Sequence, residues 1–215
     1  NPNNSEIADN VDRTKDINDG DTFDTGGSGH GTAVSELVVD TAPNVSLVLI
    51  EAGSSTEIAS AANWIDNRSS IDAVAMSLGI YTGPFDGNAY VDYHIADSID
   101  KGTPWFVSAG NAADDHDTVE WSDPNSDGKL NFSGTDQTLN VTAGDTGEIE
   151  LFVNWNDWEN GNEDYDVTLY DGNGNIDNGT TVQNGTQDPY EGVSITTGAH
   201  NTGYLEIHNE SANGT

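Results

Sequence analysis

The stretch 29-GHGTAVSELVVDTAPNVSLVLI-50 decides the fold class. Ala33, Val34, Leu37 and Val38 recur at helical spacing, so residues from His30 to Asp40 read as a helix with one apolar face. Pro43 stops that helix. Val45 to Ile50 is then an apolar run of the kind found in a parallel strand covered on both faces. Working outward, the pattern repeats. Ser55 or Thr56 is positioned to cap a helix carrying Ile58, Ala61, Ala62 and Ile65, with Glu57 in its first turn. Ala73 to Leu78 reads as a second buried strand. Val91, Ile95 and Ile99 mark a third helix, ended by Gly102, and Trp105 to Ala109 a third strand. Helices alternating with apolar strands predict an α/β layer built on a parallel sheet. Upstream, residues 1–29 are polar and end in 18-NDGDTFDTGGSG-29, which reads as loop.

Downstream of Asn111 the period changes. Residues 112–131 are acidic and turn-rich. Beyond them Ile149, Leu151, Val153 and Trp155 alternate with Glu150, Phe152 and Asn154. Tyr165, Val167 and Leu169, then Val193 with Ile195, then Leu205 with Ile207, do the same. Short alternating strands between Gly, Asn and Asp turns predict an antiparallel β-sandwich. The expected division is residues 1–119 for the α/β part and 120–215 for the sandwich.

Composition limits the partners. The 215 residues contain 38 Asp plus Glu against five Lys plus Arg, a net charge of −33, and no Cys. Nucleic-acid binding needs clustered Lys and Arg, and so does an anionic membrane surface, so both are excluded as partners. The absence of Cys removes disulfides, thiol nucleophiles and Cys-based zinc sites. No apolar run approaches the roughly 20 residues of a membrane span. Leu, Ile, Val and Phe total only 42, a range associated with disorder, yet they are gathered in compact runs. Adaptation to high salt accounts for the acidity, because dense carboxylates keep a protein soluble when salt screens charge. The chain starts at Asn1, not Met, and shows no signal peptide, so it reads as a processed protein or a fragment.

Three short pieces carry the chemistry. They are 29-GHGTAV-34, where a His opens a helix after a glycine loop, 76-MSLG-79 at a strand end, and 107-VSAGN-111 at the next strand end. In open α/β sheets ligands bind beyond the carboxyl ends of strands, so all three can line one crevice. Taken singly, each has an ordinary reading. The His is a loop residue, Ser-Leu-Gly is a turn, and the Asn is a helix cap or a left-handed residue. Their order and shared edge argue for a site.

As an ordered set over residues 1–119, these pieces resemble the subtilisin-like serine peptidases. Gly29-His30-Gly31-Thr32 resembles the family's His motif and Ala42-Pro43 its approach to the next strand. Met76-Ser77-Leu78-Gly79 resembles the strand that pairs with substrate, and Ala109-Gly110-Asn111 the oxyanion motif. Residues 120–215 would then be a β-domain inserted between that Asn and the catalytic Ser. The resemblance implies that His30 is the general base. It implies that Asn111 stabilises the oxyanion, a donor whose loss slows acyl transfer by about 10²–10³. Ser77, Leu78 and Gly79 would bind an extended polypeptide substrate by backbone pairing.

The sequence also departs from the family. Ser35-Glu36 stand where many members have Ala-Gly, which affects packing behind the helix. The family's Asp precedes its His by about thirty residues in subtilisin. Asp24-Thr25-Gly26 spells the Asp motif but lies only six residues before His30 and follows no apolar strand. No Gly-Thr-Ser-x-Ala pattern occurs. The expectation is therefore an internal fragment of a secreted, extracellular, halophilic endopeptidase, inactive alone. The alternative is a non-catalytic surface protein that binds through its sandwich.

Other groups are less specific. Asp123, Asn125 and Asp127 followed by Gly128 match the first half of a calcium loop, with Leu130 where such loops place an apolar residue. Position twelve is Gly134, not Glu, so a structural Ca2+ and a plain acidic turn both stay open. The run 171-DGNGNID-177 has similar spacing but reads as a hairpin turn. Asn-x-Ser/Thr occurs at Asn3, Asn44, Asn67, Asn131, Asn140, Asn178, Asn184, Asn209 and Asn213, and few of these are expected to carry glycans. His94, His116, His200 and His208 lack metal-ligand spacing. Trp155 and Trp158 read as core or rim packing in preference to a sugar platform.

Overall fold

The computed structural model describes residues 1–17, 29–145, 147–158, 161–197 and 201–211. The chain mixes helices and strands and divides into two compact units. One is Asn1–Ile80 with Phe85–Asn111, the other Tyr81–Pro84 with Ala112–Thr215. No helix among the described residues is long and apolar enough to cross a membrane.

The first unit runs β1 (Val11–Asp16), α1 (His30–Thr41), β2 (Leu47–Glu51), α2 (Ser55–Asp66), β3 (Val74–Met76), α3 (Tyr90–Asp100) and β4 (Trp105–Val107). Helix α1 ends at Ala42, just before Pro43, as the sequence predicts. Helix α2 is capped by Ser54 and not by Ser55 or Thr56. The Ser54 hydroxyl accepts from Glu57 N at 3.3 Å while the Glu57 carboxylate accepts from Ser54 N at 3.1 Å. This reciprocal capping box needs an extended cap residue three positions before the Glu, which Ser54 supplies. Helix α2 buries Ile58, Ala59, Ala61, Ala62 and Ile65 and packs on α3. Past α3 the chain reverses through Gly102 at φ +107, a left-handed position that suits glycine.

Residues 11–16 are a strand, which corrects the reading of 1–29 as loop. Val-Asp-Arg-Thr-Lys-Asp has no apolar period of its own. It becomes β1 because it adds in parallel to the apolar β2, from Val11↔Leu47 to Asp16↔Glu51. Strands β3 and β4 also pair in parallel, Val74↔Trp105 to Met76↔Val107. These are two separate two-stranded ladders. Cover on both faces, as expected for these strands, is not found. β2 is half-buried throughout, and on β4 Phe106 is 67% and Val107 48% exposed. A two-stranded ladder offers little surface for a covering layer, and α2 and α3 bury apolar side chains against each other.

The second unit contains β5 (Leu139–Thr142), β6 (Glu148–Asn154), β7 (Tyr165–Asp171), β8 (Ile176–Gly179), β9 (Tyr190–Thr196) and β10 (Thr202–Asn209). They form a four-stranded antiparallel sheet, β5-β10-β7-β8, and a two-stranded one, β6-β9. Ile149, Val167, Leu169, Val193, Ile195, Leu205 and Ile207 from both sheets join one buried cluster. The period-two pattern thus predicted the inward faces correctly. Gly203 is required on β10, since a Cβ there would collide with the Tyr170 carbonyl oxygen.

Candidate active site and polar loops

His30 is the first residue of α1, directly after Gly29. Its Nε2 lies 2.9 Å from the Ser77 carbonyl oxygen, joining positions 47 residues apart. A carbonyl oxygen only accepts, so Nε2 carries the proton in this arrangement. Ser77 and Leu78 follow β3. Ser108, just after β4, extends the β3–β4 ladder by donating its N–H to Met76 O at 3.0 Å, and its hydroxyl donates to Leu78 O at 3.0 Å. Two of the three sequence pieces are therefore bonded to the third, with Ser77 and Leu78 in the middle. Gly110 has φ +80, turning the chain into Asn111. His30, Ser77, Leu78, Gly79 and Asn111 are all exposed. Ser35 is buried behind the His motif and its hydroxyl donates to Gly31 O at 2.7 Å, so the departure at that position is absorbed within α1.

Sequence reasoning found no acid partner for His30. Asp16 ends β1 and is buried. Asp24-Thr25-Gly26 lies outside the described residues.

Asp123, Asn125 and Asp127 do converge in one turn. The Asp123 carboxylate accepts from Asp127 N at 3.1 Å and Gly128 N at 2.8 Å, and Asn125 Nδ2 donates to Asp127 at 2.8 Å. The Gln137 amide donates to both Asp127 oxygens at 2.9 Å and holds its carboxyl below the usual carboxylate range. Among the described residues no three His, Asp or Glu side chains are grouped as metal ligands. Leu130 enters the sandwich core.

The run 171–177 is the turn of the β7–β8 hairpin, as predicted. Its first carboxylate, Asp171, is buried and accepts from the backbone N–H and side-chain amide of both Asn173 and Asn175. Burial pushes its pKa up, but these donors outweigh it and bring it to about 2.

Trp155 packs against the core, edge-on to Tyr165, and its Nε1 donates to Glu163 O at 3.1 Å. The side chain of Asn131 is buried and donates to Gly134 O at 3.0 Å, so that position has no room for a glycan. His94 lies edge-on to Tyr90 and Tyr93, His116 contacts Ala112 O, and His208 lies 3.6 Å from Glu206. His200 is outside the described residues. Two open clefts of about 540 and 430 Å³ lie in the second unit and include none of the motif residues.

Neither family models nor curated proteins give any match to this chain.

Proposed function

We propose that this chain is part of a subtilisin-like serine endopeptidase. The observation that carries the reading is the 2.9 Å contact between His30 Nε2 and the Ser77 carbonyl. It puts the residue read as general base against the segment read as the peptide-binding strand, although neither was located by the other. His30 is the base and later returns its proton to the leaving amine. Asn111 donates to the oxyanion. Ser77, Leu78 and Gly79 pair with an extended polypeptide. The fold in this reading is a partial subtilisin-like layer, residues 1–119, followed by an inserted sandwich, residues 120–215. The Gly-Thr-Ser nucleophile is not among the 215 residues, so these residues alone bind peptide without cleaving it. The charge of −33 fits an extracellular, halophilic setting.

A second reading has its own observation. With Nε2 donating to Ser77 O, the nitrogen a base would use is occupied. That favours a non-catalytic binding protein in which His30 is a structural tie. Sequencing the gene through both ends of this chain separates the two. A Gly-Thr-Ser downstream of Thr215 supports the peptidase, and another residue in place of that serine overturns it.

Calcium at Asp123, Asn125 and Asp127 is a further proposal, supported by their convergence in one turn. Binding would require Gln137 to release Asp127. A Tm that rises with Ca2+ at constant ionic strength supports it. An unchanged Tm means that the turn is held by its own hydrogen bonds.

A further inference from the structure

Two buried polar groups of the second unit lack a natural partner. Glu191 is on β9 and its side chain is buried. Its carboxylate accepts from Thr181 N at 2.6 Å, from Thr181 Oγ1 at 3.4 Å and from Gln183 Nε2 at 3.2 Å. All three donors are neutral, and among the described residues no Lys, Arg or His forms an ion pair with it. Strand β8 leaves room for this carboxylate, since a Cβ on Gly179 would lie 2.6 Å from Glu191 Oε2. Gln183 is 3% exposed, and its Oε1 is buried with no hydrogen-bond partner among the described residues. Turning the amide over would not relieve this, because Oε1 would then face the carboxylate of Glu191. Gln183 N donates to Asp164 Oδ1 at 3.2 Å, so a second carboxylate meets the same residue.

A buried carboxylate without a counter-charge is costly, and so is a buried acceptor without a donor. A water would satisfy Oε1 but leave the charge, whereas a cation answers both. We propose that Glu191 and Gln183 hold a hard divalent cation, Ca2+ in its size and oxygen preference, with Asp164 contributing negative charge beside it. The donors are carboxylate and amide oxygens only, which suits Ca2+ and disfavours softer metals. One of them is an amide, so the site is not a grouping of three acidic side chains. The cleft of about 430 Å³ lined by Thr181, Asp188, Tyr190 and Glu191, among others, gives an ion a path to the carboxylate and room for water ligands. The site shares no residue with the turn at Asp123 and does not rest on the peptidase reading.

The test uses the full chain, titrated with Ca2+ at constant ionic strength and followed by amide shifts. Saturable shifts at Thr181 and Gln183 are expected, and they are read separately from any at Asp123–Gly128. Glu191→Gln keeps the shape of the side chain and an acceptor for Thr181 N but removes the charge, so Ca2+ affinity at 181–183 should fall by at least about tenfold. Gln183→Leu keeps the charge and removes the unpartnered oxygen, and should also weaken binding. Unchanged shifts in the β7 and β10 core of each variant serve as the control for folding. No saturable shift at 181–183 in the unmutated chain overturns the inference. Affinity that is the same in Glu191→Gln overturns it too, and if that variant does not fold, undiminished affinity in Gln183→Leu does so.

Discussion

The two units bury their apolar residues differently. In the second, residues spaced by two meet across two sheets, and Val167 and Leu169 reach 0% exposure. In the first, the richest apolar runs give strands that are half-covered, with Phe106 67% exposed. Yet the first unit holds the three pieces read from sequence as one site, 29–34, 76–79 and 107–111, and the second holds none of these three. A strand end that offers backbone groups to a ligand must stay open, whereas an alternating strand is complete once its inward face is covered.

That contrast is testable by truncation. Leu169→Ala should cost about 2–5 kcal/mol by cavity formation. Phe106→Ala should stay within about 0.5 kcal/mol, as for other exposed positions. Urea unfolding followed separately in each unit measures both, and equal losses would mean that the units share one core. Gly203→Ala comes next. Its methyl would collide with the Tyr170 carbonyl, and overpacking of this kind costs about 1–3 kcal/mol. A neutral result would show that β10 can shift relative to β7.

Ser54→Ala opens the capping box of α2 and should cost about 1 kcal/mol, with the loss confined to the first unit. Thermal melts of Ser54→Ala and of Ser55→Ala distinguish the observed cap from the one expected from sequence, and a larger effect at Ser55 would reverse the assignment. A further test is one of pH. Asp171 has a folded pKa of about 2, below its ordinary 3.8, so the unfolded chain binds more protons in that window. Its contribution is complete above pH 4 and is lost as pH falls toward 2. Asp171→Asn should therefore show a shallower loss of stability between pH 4 and pH 2 than the unmutated chain. Parallel acid titrations would remove the carboxylate from the explanation.

Period two made the sandwich legible, because a pleated strand with one covered face must alternate. The helices were legible for the matching reason at period 3.6, and Pro43 and Gly102 marked ends that the structure keeps. β1 was not legible. Val-Asp-Arg-Thr-Lys-Asp has neither period, and only the ladder offered by β2 makes it a strand. Cover over β4 was also misjudged, because an apolar run reports a preference for burial and not the presence of a covering layer.

The sequence by itself determined the inward faces of β6, β7, β9 and β10, the ends of α1 and α3 at Pro43 and Gly102, the hairpin at Asp171 and the order of His30, Ser77–Gly79 and Asn111 along the chain. All of these follow from local periodicity, turn chemistry or residue order along the chain. Tertiary structure alone decided that 11–16 is a strand, that His30 reaches Ser77, and that Gln137 occupies Asp127. Each depends on groups far apart in sequence, and no local pattern encodes which distant donor meets which acceptor.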